Sequence, residues 1–342
     1  MHTSCESGYR RVGFTLIELV AALAIVATLM SIMLVGIVKA REVARRADCT
    51  NRLRQLVLAT HQFEAARQIL PQASTNDEGP SELVNGQRAS LLHSSGLWRL
   101  LPYLGYERLA DEVKYVQMQG GGSDTTEQMP RKTRIRLSVF LCPSDPVDEG
   151  TNYRFNSGSN PTCFDYAGLP ESLRPNGPFG LFLKRLSAIP GGTSGTAAFS
   201  ERLKAPSGRY DHRAHIWGAS LNNTFSPAEI DHRLLRLLAN EVGTSEPPTY
   251  SRLAGLNWHG GGKLFTLYDH VFTPNPPLPA ISAGSSVLHN WEPTGAVPPT
   301  SNHPGGVNTA ILDGSVRFIA DTVDAQVWEH LGSVAQTAQT DL

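Results

Sequence analysis

The sequence predicts an α+β protein, with a long N-terminal helix followed by a strand- and loop-rich globular region. Three observations lead there. None of the 23 prolines, and only Gly8, Gly13 and Gly36 of the 31 glycines, fall before residue 71. An apolar run extends from Phe14 to Val38 with Glu18 as its only charge. Near the C-terminus two short apolar segments flank the dipeptide Asp313-Gly314. Proline removes a backbone donor and clashes inside a helix, so residues 14–70 can form one helix and the rest cannot. The chain divides into a leader (1–13), a transmembrane and stem helix (14–70) and a globular domain (71–342).

The length of 342 residues allows one large or two ordinary domains. Lys and Arg (30) balance Asp and Glu (31), and no basic stripe marks a nucleic-acid-binding surface. Four cysteines, Cys5, Cys49, Cys142 and Cys163, include no C-x-x-C pair, which argues against zinc-finger and thioredoxin-like readings.

As a helix, the run from Phe14 to Val38 is roughly 37 Å long, enough to cross a hydrocarbon core of about 30 Å. It is longer than the apolar region of a cleaved secretory signal, although Ala22-Leu23-Ala24 offers a competing cleavage site. Beyond it, Leu53, Leu56, Val57, Thr60 and Phe63 recur at steps of three and four beside Arg52, Arg54, Gln55 and Gln62. That amphipathic stripe requires a partner, most simply the globular domain, and Pro71 is expected to end the helix.

The string Gly13-Phe14-Thr15-Leu16-Ile17-Glu18-Leu19-Val20 resembles the processing site of type IV pilins and type II secretion pseudopilins. The resemblance implies cleavage between Gly13 and Phe14 by a prepilin peptidase, methylation of the new amine, and neutralisation of Glu18 by a neighbouring subunit's amine. The competing reading of Glu18 is a tolerated interfacial acid. The resemblance also places the N-terminus in the cytoplasm, behind Arg10 and Arg11. Counting Lys39, Arg41, Arg45 and Arg46 by the positive-inside rule favours the reverse, and the processing motif is given the greater weight.

From residue 71 onward, short apolar stretches separated by Gly, Pro, Ser and Asn favour strands and long loops over helices. Val307–Leu312 and Ser315–Ile319 read as a two-residue hairpin around a type I′ Asp313-Gly314 turn. That register sets Ile311 opposite Val316 and Thr309 opposite Phe318 on the face expected to be buried.

The segment Ser301-Asn302-His303-Pro304-Gly305-Gly306-Val307-Asn308, followed by Asp313-Gly314-Ser315-Val316-Arg317-Phe318, resembles the H-x9-DG signature of a large bacterial prepilin-like family of unassigned function. Further pieces match in order: Arg41 to Arg46 and Cys49, Leu101-Pro102-Tyr103-Leu104, Cys142-Pro143-Ser144-Asp145, Gly192-Thr193-Ser194, and Glu201. The resemblance implies a pilin-like fold in which the stem helix packs on an antiparallel sheet. Gly36 departs from it by replacing the usual proline, which puts the expected stem kink in question. Gly191 and Gly195 replace the usual Asp and Asn around Thr193-Ser194.

Signals for catalysis are weak. His212 and His215 have a metal-compatible spacing but no recognisable third ligand. Trp258-His259-Gly260-Gly261-Gly262 lacks a phosphate-loop context, and no G-x-S-x-G elbow occurs. His303 and Asp313 admit a base-and-carboxylate reading, but structural roles are preferred, with Asp313 in the turn and His303 at the entry to the hairpin. Asp145, Asp148, Glu149 and Asn152 form an oxygen-rich loop compatible with calcium, although the plain reading is an exposed acidic turn. No cofactor and no enzymatic activity are expected.

The leading expectation is a pseudopilin-like subunit in a bacterial inner membrane, with its globular domain outside the cytoplasm. Its expected partners are prepilin peptidase and other pilin-like subunits, and nucleic acid is not among them. The alternative is a membrane-tethered solute- or sugar-binding module, with Trp217, Trp258 and Trp291 as a possible platform. After cleavage, Cys49, Cys142 and Cys163 remain in an oxidising compartment. A Cys142–Cys163 bridge is expected because the intervening segment can fold back, with Cys49–Cys142 as the rival pairing.

Overall fold

The computed structural model describes residues 15–75, 94–118, 135–163, 170, 173–180, 184–219, 221, 225, 229–283 and 294–334. Gly13, Phe14 and Trp291 therefore lie outside the described residues. Two compact units are present, Met1–Ala44 and Arg45–Leu342.

Helix α1 spans Leu16–Arg67 without a break at Gly36. In the first unit its apolar residues are exposed, and the segment is long and apolar enough to cross a membrane. Its start is a capping box. The Thr15 amide and hydroxyl both donate to Glu18 at 2.9 Å, while the Glu18 amide donates to the Thr15 hydroxyl at 3.4 Å.

In the second unit α1 shows the predicted stripe: Leu53, Leu56, Val57, Thr60 and Phe63 are buried, and Cys49 joins them one turn earlier. The helix ends at Arg67, before Pro71. Gln68 takes a left-handed φ of 59° and its amide donates to the Glu64 carbonyl, so a C-terminal cap and not the proline stops the helix.

The remaining elements, in chain order, begin with β1 (Ser74–Thr75), β2 (Ser94–Ser95), α2 (Leu97–Leu100), α3 (Glu107–Met118), β3 (Tyr153–Asn156) and β4 (Ala197–Glu201). There follow β5 (Ile216–Gly218), α4 (His232–Val242), β6 (Tyr250–Ser251), β7 (Leu267–Tyr268) and β8 (Ala280–Ser282). The last are β9 (Gly295–Ala296), β10 (Gly306–Ile311), β11 (Val316–Ala320) and α5 (Ala325–Gly332). The main sheet runs β11-β10-β4-β3-β7 and a second runs β6-β5-β8-β9. The fold is α+β as expected, but the sheets are mixed, because β3–β7 and β5–β8 pair in parallel.

Stem and main sheet share one core that includes Cys49, Leu53, Phe140 and Ala310. It also contains a packed trio of Phe155, Phe179 and Phe199, with ring centroids 4.7–5.5 Å apart. The Arg46 guanidinium lies 3.5 Å from the centroid of the Phe318 ring on β11, a cation–π contact between stem and edge strand.

The hairpin exists, but its register is one residue from the predicted one. Ala310 pairs with Val316 and Asn308 with Phe318. A type I′ turn needs positive φ at both central residues. Here Gly314 has φ 92° and Asp313 is not among the positive-φ residues. The Asp313 carboxylate instead accepts from the Ser315 amide at 2.8 Å, and Gly314 N–H donates to the Ile311 carbonyl at 3.0 Å. A three-residue loop, Leu312-Asp313-Gly314, results. Moreover β10 is internal and buried along its whole length, so the burial falls on one strand and not on one face of the pair.

Helices α3, α4 and α5 correct the expectation of strands and loops alone. Asp231 caps α4 by accepting from the Leu234 amide at 2.8 Å, and Asp324 caps α5. The α4 residues Leu235 and Ala239 enter a second core with Phe272 and Ile281. Helix α5 docks through His270, whose ring stacks on Trp328 at 3.7 Å between centroids. Since the Trp328 carbonyl can only accept, His270 Nδ1 carries the proton across the 2.8 Å contact, and its Nε2 accepts from the Tyr268 hydroxyl.

Burial pushes the His270 imidazole down to about 3, only partly offset by that backbone bond, and pushes His259 down to about 4. Both are held neutral in the fold and protonate readily once unfolded. Their stabilisation is complete above the unfolded value of 6.5 and is lost as pH falls, down to about 4 for His259 and about 3 for His270. Stability of the full chain in detergent is expected to fall by on the order of 1–2 kcal/mol per histidine between pH 7 and pH 5. Urea midpoints at the two pH values measure this, and an unchanged midpoint would contradict it.

Candidate functional site

Four of the motif pieces quoted from the sequence converge on one buried cluster in the second unit. Cys49 comes from the stripe of α1, Cys142 from the loop after the turn Ser138–Phe140, Glu201 from the end of β4, and His303 from the loop entering β10. The ligand atoms of these four side chains all lie within 4.8 Å of one another.

Cys49 and Cys142 are joined by a disulfide with Cα atoms 5.3 Å apart. The expected Cys142–Cys163 bridge is therefore wrong and the rival pairing is right. Cys163 is a buried free thiol, pushed up to about 12 by burial, which leaves it inert. The pairing follows from the helix periodicity. Cys49 stands four residues before Leu53, on the buried face, where the sheet domain's loop meets the stem.

His303 Nε2 lies 3.5 Å from Cys142 Sγ and 3.3 Å from Glu201 Oε1. Glu201 is held in turn by Asn308 of β10, whose amide donates to Oε2 at 2.8 Å and whose side chain donates to Oε1 at 2.9 Å. Asn308 also accepts from Thr50 of α1 at 3.4 Å. On the other side the His303 amide donates to the Ser301 hydroxyl, and Asn302 donates to the Ser144 carbonyl. The loops 142–145 and 301–303 are thus stitched together around the bridge.

Asp145 belongs to the supporting layer and not to an exposed acidic turn. Its carboxylate accepts from Asn152 at 2.6 Å, lies 3.7 Å from the Lys204 ammonium and receives the Lys204 amide at 3.1 Å. Burial pushes Lys204 down to about 8, a shift that the neighbouring Asp145 opposes. Asn152 also accepts from the Cys142 amide at 2.8 Å, passing this order to the bridge. Asp148 pairs instead with Arg136 at 2.5 Å. Two of the four residues read as a calcium candidate, Asp145 and Asp148, are therefore engaged by the chain's own cations.

The other candidates separate. Asp313 is exposed in its turn, and hydrogen bonding to Ser315 holds its carboxyl below the usual range. It is not a partner of the buried His303–Glu201 pair. His215 Nδ1 is occupied by the Asp211 backbone at 3.0 Å. Trp258 is buried against Phe140 and donates to the Ile135 carbonyl, so it presents no sugar platform. Sequence reasoning missed Asn308 and Lys204 as partners, because each acts on a residue about 60–110 positions away.

Both His303 and Glu201 side chains are at most 2% exposed, so the cluster lies inside the fold. What it does is hold stem, 142–145 loop, β4 and β10 at one point. No curated protein and no solved structure matches the chain. One family model matches residues 38–326, from the stem to the second residue of α5, and by that match the chain belongs to the family described as Protein of unknown function (DUF1559).

Proposed function

We propose that this chain is a pilin-like structural subunit. It is processed between Gly13 and Phe14, anchored in a bacterial inner membrane by α1, and carries its mixed-sheet domain outside the cytoplasm. The observation that carries this reading is α1 itself. One helix supplies an exposed apolar run from Leu16 to Val38 and a buried stripe from Cys49 to Phe63. Such a helix suits a subunit whose first half is covered by lipid or by copies of itself. The disulfide agrees with an extracytoplasmic domain, since oxidising compartments are where such bonds persist.

Glu18 provides the test. In the isolated chain its carboxylate caps the helix, so Glu18→Ala removes both the cap and the charge. Glutamine serves the same position in a capping box, so Glu18→Gln removes the charge while keeping the helix start. Both variants are expected to insert in the membrane, and both should lose most subunit–subunit crosslinks through α1 in intact cells. Unchanged crosslinking in Glu18→Gln would overturn charge pairing as the assembly device and favour a solitary tethered module.

A further inference from the structure

We propose that the Cys49–Cys142 site is a second-state metal centre: when the bridge is reduced, Cys49, Cys142, His303 and Glu201 bind one zinc-class divalent cation. Among the described residues this is the one gathering of three or more such side chains, and all four are buried. A disulfide alone does not account for its neighbours. Sulfur in a bridge needs no hydrogen-bond partner, whereas burying an imidazole and a carboxylate beside it carries a desolvation cost.

The distances match a tetrahedral ion. With Zn–S near 2.3 Å and Zn–N and Zn–O near 2.05 Å, tetrahedral edges are about 3.5 Å for nitrogen to sulfur and about 3.3 Å for nitrogen to oxygen. His303 Nε2 stands 3.5 Å from Cys142 Sγ and 3.3 Å from Glu201 Oε1. The two sulfurs have to part to about 3.8 Å once their bond is broken, and the remaining ligand atoms already lie within 4.8 Å of one another. The outer layer is already in place, because Asn308 donates twice to Glu201 and Asn152 accepts from the Cys142 amide. Two thiolates, an imidazole and a carboxylate form a donor set suited to zinc and ill-suited to calcium or magnesium.

The chemistry balances with a dithiol as reductant. Its thiolate attacks Cys142 Sγ, in the less buried of the two cysteines, and releases Cys49 as a thiolate. The second thiol of the reductant then displaces Cys142. The reductant leaves as a disulfide, two electrons having passed to the two cysteines. Zinc binding releases the two thiol protons, and the His303 imidazole and the Glu201 carboxylate complete the shell.

The full chain in detergent, reduced with a phosphine and dialysed against cobalt(II), tests this. About one ion per chain is expected, with thiolate-to-cobalt charge transfer and the intense visible bands of four-coordinate cobalt, displaced by zinc. The oxidised chain should retain none. His303→Ala and Glu201→Gln, each reduced, should retain at least about tenfold less. Three results would overturn the proposal: no metal kept by the reduced chain after desalting, retention by both variants equal to that of the parent chain, or a reduced chain that unfolds and that zinc does not refold.

Discussion

Removing the Cys49–Cys142 bridge is expected to destabilise the domain by about 4–5 kcal/mol in the chain-entropy treatment of a closed loop this long. The two cysteines are 93 residues apart, so their bond restricts the unfolded chain far more than a local link would. The loop it closes contains the stem stripe from Leu53 to Phe63 and the α2–α3 region. The double variant Cys49→Ala/Cys142→Ala isolates the effect, because it leaves no thiol to mispair. Urea unfolding of variant and parent should show that loss, and non-reducing peptide mapping of the parent should find Cys49 linked to Cys142. A midpoint unchanged by the double substitution would mean that packing of Leu53, Leu56 and Phe63 alone holds the stem.

Glu201→Ala is expected to cost about 3–5 kcal/mol, the range for removing one member of a buried charged network. The carboxylate accepts the Asn308 amide and side chain and faces His303, so its loss leaves buried donors unsatisfied. Glu201→Gln keeps the shape and one acceptor oxygen and should cost about 1–3 kcal/mol. Equal costs for the two variants would show that volume, not the network, matters at this position.

The parts of the fold legible in the sequence are those with a local cause. The absence of proline before residue 71 announced α1, and steps of three and four marked Leu53 to Phe63 as its buried face. Asp313-Gly314 announced a hairpin. Its register escaped because one side-chain hydrogen bond, from the Ser315 amide to Asp313, selects a three-residue loop over a two-residue one. The full burial of β10 escaped because β4, about 110 residues earlier, covers its other edge. The same applies to the site. His303 and Glu201 were visible as motif pieces, but their contact, and the choice of Cys49 over Cys163, depend on which strands the sheet makes neighbours. Helix α4 escaped because its flanks are rich in turn-formers, which drew the reading toward loops.

The pilin-like reading rests on how the chain begins once it is in the membrane. Mass spectrometry of the N-terminal peptide of the protein extracted from cell membranes tests it most directly. A mature N-terminus at Phe14, N-methylated, is expected. A protein that still begins at Met1, or that begins after Ala24, would contradict processing as a prepilin and the pilin-like assignment with it.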